Sequence, residues 1–355
     1  MSTMSSASRA IVCVGKGEAA VKEVPIPNLR EGHVLVKVKA LGLNPTDWKS
    51  IYSGDAIGMR IGCDYAGVVE EVGSGVTKAL KKGDRVSGMA HGGIDGVRGA
   101  FGDYAIANAD VLLIIPDNVS FEDAATLGVG ITTVGQGLYQ FLKLPLPMSP
   151  LSTPKAILIN GGSTATGILG IQFAKLSGLT VLTTSSPHNF DYLKSLGADA
   201  VFDYHTPAEE LAKEIKAHTQ NSLTLAWDCS PTPESTQLSA AAMSDSQPGI
   251  YGALLPVKDE ALKAVNPQVS GGFTMGYTVF GEAFTRGGRD YPAKPQDREF
   301  GKAFWDLSRD LLAQGKFKVA RISVNQGGAG LEGVLKGLED LRNGKVSGTK
   351  LVYTL

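Results

Sequence analysis

Between Ile157 and Gly167 the chain reads Ile-Leu-Ile-Asn-Gly-Gly-Ser-Thr-Ala-Thr-Gly, an apolar run that ends in small residues and leads into a helix-like segment. A strand feeding a tight turn into a helix N-terminus can hold a pyrophosphate, because the first N–H groups of the helix lack carbonyl partners and the helix dipole favours an anion there. Gly162 and Gly167 stand at the outer positions of a G-x-G-x-x-G pattern, with Thr164 in place of the middle glycine. A side chain there costs close backbone approach. The Thr164 hydroxyl either bonds a phosphate or caps the helix, and the two readings are compatible. Ser163, Thr164, Ala165 and Thr166 are the candidate phosphate contacts.

The next strand ends Thr183-Thr184-Ser185-Ser186-Pro187-His188-Asn189, and no acid occurs before Asp191. A site for NAD normally puts Asp or Glu at this point to hold the ribose hydroxyls, and that carboxylate would repel a 2′-phosphate. Hydroxyls and an amide in its place favour NADPH. Lys194 is the nearest cation. It either pairs with the phosphate or lies on a solvated helix face, and His188 either contacts the nucleotide or only begins the helix.

The elements around these residues follow a simple order. From Ile11–Val14 to about residue 115 the chain reads as short strands, among them Val34–Ala40, Tyr65–Val72, Arg85–Gly88 and Tyr104–Ala107, separated by Gly and Asp. Residues 121–143 read as one helix with Ser120 as N-cap. Four prolines make 145–154 a loop. Strict alternation follows: strand Ala156–Asn160, helix Thr164–Ser177, strand Thr180–Thr184, helix His188–Leu196, strand Val201–Tyr204, helix Pro207–His218, and strands Thr224–Asp228 and Gly249–Ala253. Strands bounded by helices of this length mean parallel crossovers and a doubly wound sheet, an α/β fold. After residue 296 come a helix, a strand, a helix and a last strand, Lys350–Thr354.

The 355 residues imply two domains, and 43% hydrophobic with 19% charged residues is an ordinary globular balance. A net charge of −1 argues against a nucleic-acid or acidic-membrane partner. No run of apolar residues spans a membrane, and Met1–Arg9 has no secretory pattern. Cys13, Cys63 and Cys229 form no disulfide framework, so a reducing, cytoplasmic location is expected.

Two further stretches carry a family resemblance. Gly62-Cys63-Asp64-Tyr65-Ala66-Gly67-Val68-Val69-Glu70-Glu71-Val72-Gly73 with Lys82-Gly83-Asp84-Arg85-Val86, and Gly99-Ala100-Phe101-Gly102-Asp103-Tyr104-Ala105, resemble the quinone-reductase-like branch of the medium-chain dehydrogenase/reductases. Gly161–Thr166, Ser186–Asp191, Leu144–Pro147 and Phe280-Gly281-Glu282 are similar to the fungal trans-acting enoyl reductases of polyketide synthases, in which the Thr164-type turn is normal. The likeness spans nearly the whole chain. It implies a Rossmann doubly wound parallel sheet over residues 126–280 and a GroES-like β-rich catalytic domain over 1–125 and 281–355.

Zinc alcohol dehydrogenases also resemble the first domain. Where they carry a ligand cysteine this chain has Asn44-Pro45-Thr46-Asp47, and where they carry Gly-His-Glu it has Gly62-Cys63-Asp64. The four-cysteine lobe is missing too, so the ligand count for zinc fails. Cys63 and Asp64 then read as packing and turn residues. Hydride addition to an activated C=C bond remains, since the neighbouring carbonyl can take up the charge if donors stabilise the enolate oxygen.

The resemblance also assigns residues. Pro45, Thr46, Asp47 and Trp48 lie in the segment that meets the nicotinamide, and Ser186, Pro187, His188, Asn189 and Tyr204 line the adenosine phosphate. Leu254, Leu255, Val346 and Ser347 border the cofactor. Gly130, Ile131, Thr132, Thr133, Val134, Gly135, Gln136 and Gly137, with Thr278, Val279, Phe280, Gly281 and Glu282, border the substrate. Lys49 either assists the enolate or the ribose, or is a surface lysine. Thr133, at the start of its helix, bonds the substrate carbonyl or the carboxamide, with Thr132 competing for that role. Asp47 reads as a helix cap rather than an acid, and nothing names the proton donor. The function implied is an NADPH-dependent enoyl reductase acting on acyl chains held by the carrier protein of a polyketide synthase. The alternatives are a stand-alone quinone or enone reductase, and a cofactor-binding protein without activity. Residues 271–290, rich in Gly and Arg, look poor for an edge strand, so a monomer is expected.

Overall fold

Alternating valines begin the first sheet. The coordinates, a computed structural model, describe residues 7–355. The expected polar lead Met1–Arg9 therefore lies, for residues 1–6, outside the described residues. The chain divides into two compact units, one running to Thr132 and resuming at Tyr277–Leu355, the other Thr133–Gly276.

In the first unit β1 (Ala7–Gly15) and β2 (Glu18–Pro25) form an antiparallel hairpin. The long strand β3 (His33–Gly42) buries Val34, Val36 and Val38 and exposes Lys37. Helix α1 (Pro45–Ser53) and strands β4 (Asp64–Val72), β5 (Arg85–Met89), β6 (Tyr104–Asn108) and β7 (Leu112–Ile114) follow. β3 pairs antiparallel with β4 along one edge and with β6 along the other.

Residues 121–143, expected as one helix, are three pieces: α2 (Phe121–Ala124), α3 (Gly128–Val134) and a π-helical turn, Gly135–Phe141. Ser120 caps α2 as expected, its Oγ accepting from the Asp123 N–H at 3.0 Å. The glycines have packing reasons. A Cβ on Gly128 would meet Asp64 Oδ1 at 2.4 Å, and one on Gly137 would meet Trp227 Nε1 at 2.5 Å. These contacts come from remote residues, so local helical periodicity could not register them.

The second unit continues with β8 (Ala156–Asn160), α4 (Ala165–Leu176), β9 (Thr180–Ser185), α5 (Phe190–Ser195), β10 (Ala200–Asp203), α6 (Ala208–His218) and β11 (Leu225–Asp228). After it come α7 (Pro233–Ala242), β12 (Gly249–Ala253), α8 (Asp259–Val265) and β13 (Val269–Phe273). The six strands are parallel in the order β10-β9-β8-β11-β12-β13. That is the doubly wound Rossmann order, with its switch point between β8 and β11. Helix α7 escaped the sequence reading because small Ser, Thr and Ala residues give it almost no apolar stripe. β13 is an edge strand, which corrects the reading of 271–290 at its first residues.

The chain then returns to the first unit with the hairpin β14 (Phe284–Arg286) and β15 (Arg289–Tyr291), helix α9 (Pro295–Ala313), strand β16 (Ile322–Val324), helix α10 (Gly330–Arg342) and strand β17 (Lys350–Thr354). β17 pairs with the end of β3, Thr354 opposite Ala40 and Val352 opposite Gly42, which sets Lys350 beside the start of α1. Ile11, Leu41, Tyr65, Phe101, Leu331 and Tyr353 form the core of this unit, and Leu158, Leu182, Ile215, Ala226 and Tyr251 that of the other. Among the described residues no helix is long and apolar enough to cross a membrane.

Candidate active site

In the first unit the segment 44–49 leaves β3 in extended backbone at Asn44 and starts α1 with Pro45 in the first turn, where its missing N–H costs nothing. Asp47 reaches back, Oδ2 accepting from the Asn44 N–H at 2.7 Å. It is a helix cap, as the sequence implied. Its other oxygen, Oδ1, is buried without a hydrogen-bond partner. Burial first, and then the nearby Asp64 carboxylate, push the Asp47 pKa up to about 7. Lys49 is exposed on α1, its ammonium 5.7 Å from the Trp48 ring centroid, and desolvation lowers its pKa.

Asp64 is not a turn residue. It begins β4, fully buried, and its Oδ2 accepts from Lys350 Nζ at 2.5 Å while its Oδ1 accepts from the Val129 N–H at 2.6 Å. Lys350 also donates to Asn44 Oδ1 at 2.9 Å and to the Thr126 carbonyl at 3.2 Å. Beside this pair the Cys63 thiol lies 3.3 Å from the Tyr277 hydroxyl, which in turn shares a 2.7 Å hydrogen bond with Thr46. Burial, reinforced by Asp47, raises the Cys63 pKa well above its usual value. Arg286 covers the Tyr277 ring at 4.6 Å and donates to Thr46 Oγ1 and Ser50 Oγ at 3.1 and 2.6 Å. His91 stacks between Tyr277 and Phe280, and burial keeps it neutral, its pKa lowered to about 3.

Several expected substrate residues belong to this unit. Thr132 is buried and accepts from Trp305 Nε1 at 3.2 Å, with Gly130 and Ile131 in the turn before it. Thr278 Oγ1 donates to Asp297 at 2.5 Å and Glu282 pairs with Arg98 at 2.8 Å. Val279 packs on Gly301, and Gly281 follows Phe280 with φ 74°. Val346 is half-buried against the core and Ser347 is exposed, both in the loop before β17.

In the second unit the glycine turn joins β8 to α4. A Cβ on Gly162 would meet Thr183 Oγ1 at 2.0 Å, and one on Gly167 would meet the Gly161 carbonyl at 2.4 Å. The outer glycines are therefore required by packing within the turn and against β9, whereas the position of Thr164 tolerates a side chain. Its hydroxyl accepts from the Gly167 N–H at 3.0 Å and donates to the Gly161 carbonyl at 2.8 Å. The hydroxyl therefore caps the helix, one of the two compatible readings of the sequence. Ala165 and Thr166 lead the 12-residue helix α4, so their N–H groups have no intrahelical acceptor, and Ser163 precedes them.

Beneath the turn, at the switch point, Asp228 is fully buried. Its Oδ1 accepts from Asn160 Nδ2 and the Ser230 N–H, both at 3.0 Å, and its Oδ2 from Ser235 Oγ at 2.7 Å and Tyr251 OH at 2.9 Å. Asn160 accepts in turn from Thr184 Oγ1, which accepts from the Gly161 N–H at 3.0 Å.

At the end of β9 the Ser185 hydroxyl is buried without a partner. Ser186 donates to the Tyr204 hydroxyl at 3.1 Å, and Asn189 lies 3.1 Å from His188, after the exposed Pro187. Thr133 is half-buried in the last turn of α3, not at the start of a helix as expected. Val134, Gly135, Gln136 and Gly137 are buried in the turn that follows. Leu254 and Leu255 follow β12, the Leu254 N–H bonding the Asp228 carbonyl at 3.2 Å. Sequence reasoning missed Lys350, Tyr277, Arg286 and Asp228. The one visible signal was a lysine opening an otherwise apolar strand.

Two family profiles match the chain: Alcohol dehydrogenase GroES-like domain over residues 30–117 and Zinc-binding dehydrogenase over residues 165–254. The trans-enoyl reductase ACTTS2 of Alternaria alternata is 46% identical over 350 residues, 98% of this chain and 98% of that protein. The chain belongs to the trans-enoyl reductase family.

Another member, resD of Aspergillus sclerotiorum, is 45% identical over 363 residues, 97% of this chain and 99% of its own. The solved CurK enoyl reductase, 18% identical, shares the fold with a TM-score of 0.77 over 98% of this chain and 99% of that one. The family sits among the medium-chain dehydrogenase/reductases, which points to a nicotinamide cofactor. A phosphate-bearing nucleotide fits the second unit's open helix start, its acid-free β9 terminus and the orphaned Ser185 hydroxyl. Zinc, which the second profile's description implies, does not fit. Asn44 and Asp64 bind the Lys350 ammonium, whose charge repels a metal cation, and the Cys63 thiol lies against the Tyr277 hydroxyl. Among the described residues no three His, Cys, Asp or Glu side chains cluster to hold a metal.

Proposed function

We propose that this protein reduces the C=C bond of an α,β-unsaturated acyl thioester carried by a polyketide synthase that lacks a working enoyl reductase domain, with NADPH as the reductant. The observation that carries the reading is end-to-end identity with trans-enoyl reductases, 46% over 98% of both chains. Bound NADPH supplies the hydride that reaches the β-carbon. In this reading residues 126–280 hold the nucleotide and supply Thr133, and 1–125 with 281–355 form the catalytic domain that carries Lys49.

The roles are those that the family resemblance implies. The N–H groups of Ser163–Thr166 receive the diphosphate at the helix start. Ser186–Asn189 and Tyr204 receive the 2′-phosphate, since no carboxylate at the end of β9 repels it. Lys49 assists the enolate oxygen, where charge develops, or holds the ribose, and Thr133 bonds the substrate carbonyl or the carboxamide. Pro45, Thr46, Trp48, Leu254, Leu255, Val346 and Ser347 shape the nicotinamide site, and Gly130–Gly137 with Thr278–Glu282 the acyl site. The enzyme works as a monomer on the carrier-bound chain.

The test is NADPH oxidation with a panel of enoyl-pantetheines and of quinones, with the partner synthase present and absent. Enoyl-pantetheines are the expected acceptors, with faster turnover when the synthase presents the chain. Efficient quinone reduction by a protein that ignores enoyl-pantetheines would overturn the proposal. NADPH binding with no acceptor reduced would favour a non-enzymatic role.

A further inference from the structure

We infer that Lys350 and Asp64 are positioning residues that lock the two substrate-side segments of the first unit, 44–49 and 126–132, into one arrangement. The inference rests on the enoyl reductase reading for its catalytic meaning and on geometry for its physical content.

The ammonium of Lys350 reaches three elements at once. It donates to Asn44, which opens the segment carrying Lys49, to Asp64 at the start of β4, and to the Thr126 carbonyl just before α3. Asp64 completes the link, its second oxygen receiving the Val129 N–H in the first turn of α3. Lys350 and Asp64 side chains are 2% and 0% exposed, so neither charge has water as an alternative partner. The surroundings leave no slack. A Cβ on Gly128 would meet Asp64 Oδ1 at 2.4 Å, and one on Gly42 would meet the Ala125 carbonyl at 2.2 Å and Lys350 Cε at 3.1 Å.

A buried ion pair contributes little to stability relative to a well-packed apolar pair, so its retention needs another reason. Here one cation bonds acceptors that apolar contacts would leave free to slide. Neither residue is assigned a reacting atom. They act through Asn44 and Val129 on the elements that carry the reacting groups, where a misplacement of about 1 Å can cost roughly 100-fold in rate.

The decisive variant is the double change Lys350→Met with Asp64→Leu, which removes both charges and keeps the branched shape at position 64 and the long unbranched chain at 350. Hydrogen exchange read by mass spectrometry is expected to rise at least tenfold in peptides covering 44–50 and 126–132 together, with the remaining sheet protected as in the wild type. The rate constant kcat on enoyl-pantetheine is expected to fall about tenfold or more.

Wild-type exchange in both segments, or a uniform rise through the unit, would overturn the inference, as would wild-type kcat in a folded double variant. If the double variant does not fold, Asp64→Asn is read by the same criteria. A wild-type protein inactive on every enoyl-pantetheine would sink the functional reading but leave the exchange result to decide this one.

Discussion

Asp47 offers a quantitative test of the first unit because its environment opposes its charge. Burial and the Asp64 carboxylate raise its pKa from 3.8 to about 7 in the folded protein, against the pull of the Asn44 N–H, of the Cys63 thiol and of Lys350. The sign follows from proton counting. Below the unfolded value both states hold the proton. Between the two values only the folded state holds it, so stability falls as pH rises, and above the folded value the loss is complete. Integrating the proton difference from pH 5 to pH 8 at 1.36 kcal/mol per unit gives a loss of roughly 2.5 kcal/mol.

Asp47→Asn keeps an acceptor for the Asn44 N–H and removes the titration. The stability of the wild type minus that of the variant should therefore fall by roughly 2.5 kcal/mol across this range. Urea unfolding of both proteins at four pH values, followed by tryptophan fluorescence, measures it. A difference that stays flat, or that grows with pH, refutes the reasoning.

Three further outcomes are expected. Ser186→Asp puts a carboxylate at the end of β9, and NADPH affinity should drop tenfold or more while NADH affinity holds or improves; equal losses for both nucleotides would count against the 2′-phosphate assignment. Asp228→Leu strands the Asn160 Nδ2 and Ser230 N–H donors, at about 1–3 kcal/mol each, while Ser235 and Tyr251 keep Thr232 and Thr236 as partners. A lower melting temperature with weaker NADPH binding is expected, and unchanged values for both would show that the buried carboxylate does not support the glycine turn. Lys49→Ala should reduce kcat by about tenfold or more; wild-type turnover and cofactor affinity would remove Lys49 from the site.

What could be read along the chain follows a physical boundary. The doubly wound sheet was legible because most of its strands and helices, though not α7 or β13, announce themselves through local periodicity, and because a parallel strand must be followed by a crossover. The helix cap at Asp47 was legible for the same reason, since its partner is three residues away. Lys350 and Asp64 stand 286 residues apart. Tyr277 is 214 residues from Cys63 and Arg286 is 240 from Thr46. No local pattern encodes such pairs.

The break in the helix expected over 121–143 has the same origin, because Gly128 and Gly137 answer to Asp64 and Trp227 rather than to their neighbours. The two units converge on one solution. In each, a fully buried aspartate at a strand end, Asp64 or Asp228, gathers donors from several elements and so holds a backbone segment that must not move. A lone aspartate after Gly62-Cys63 or after Ala226-Trp227 carries no mark of this in sequence, since its role is set by which donors the finished fold delivers to it.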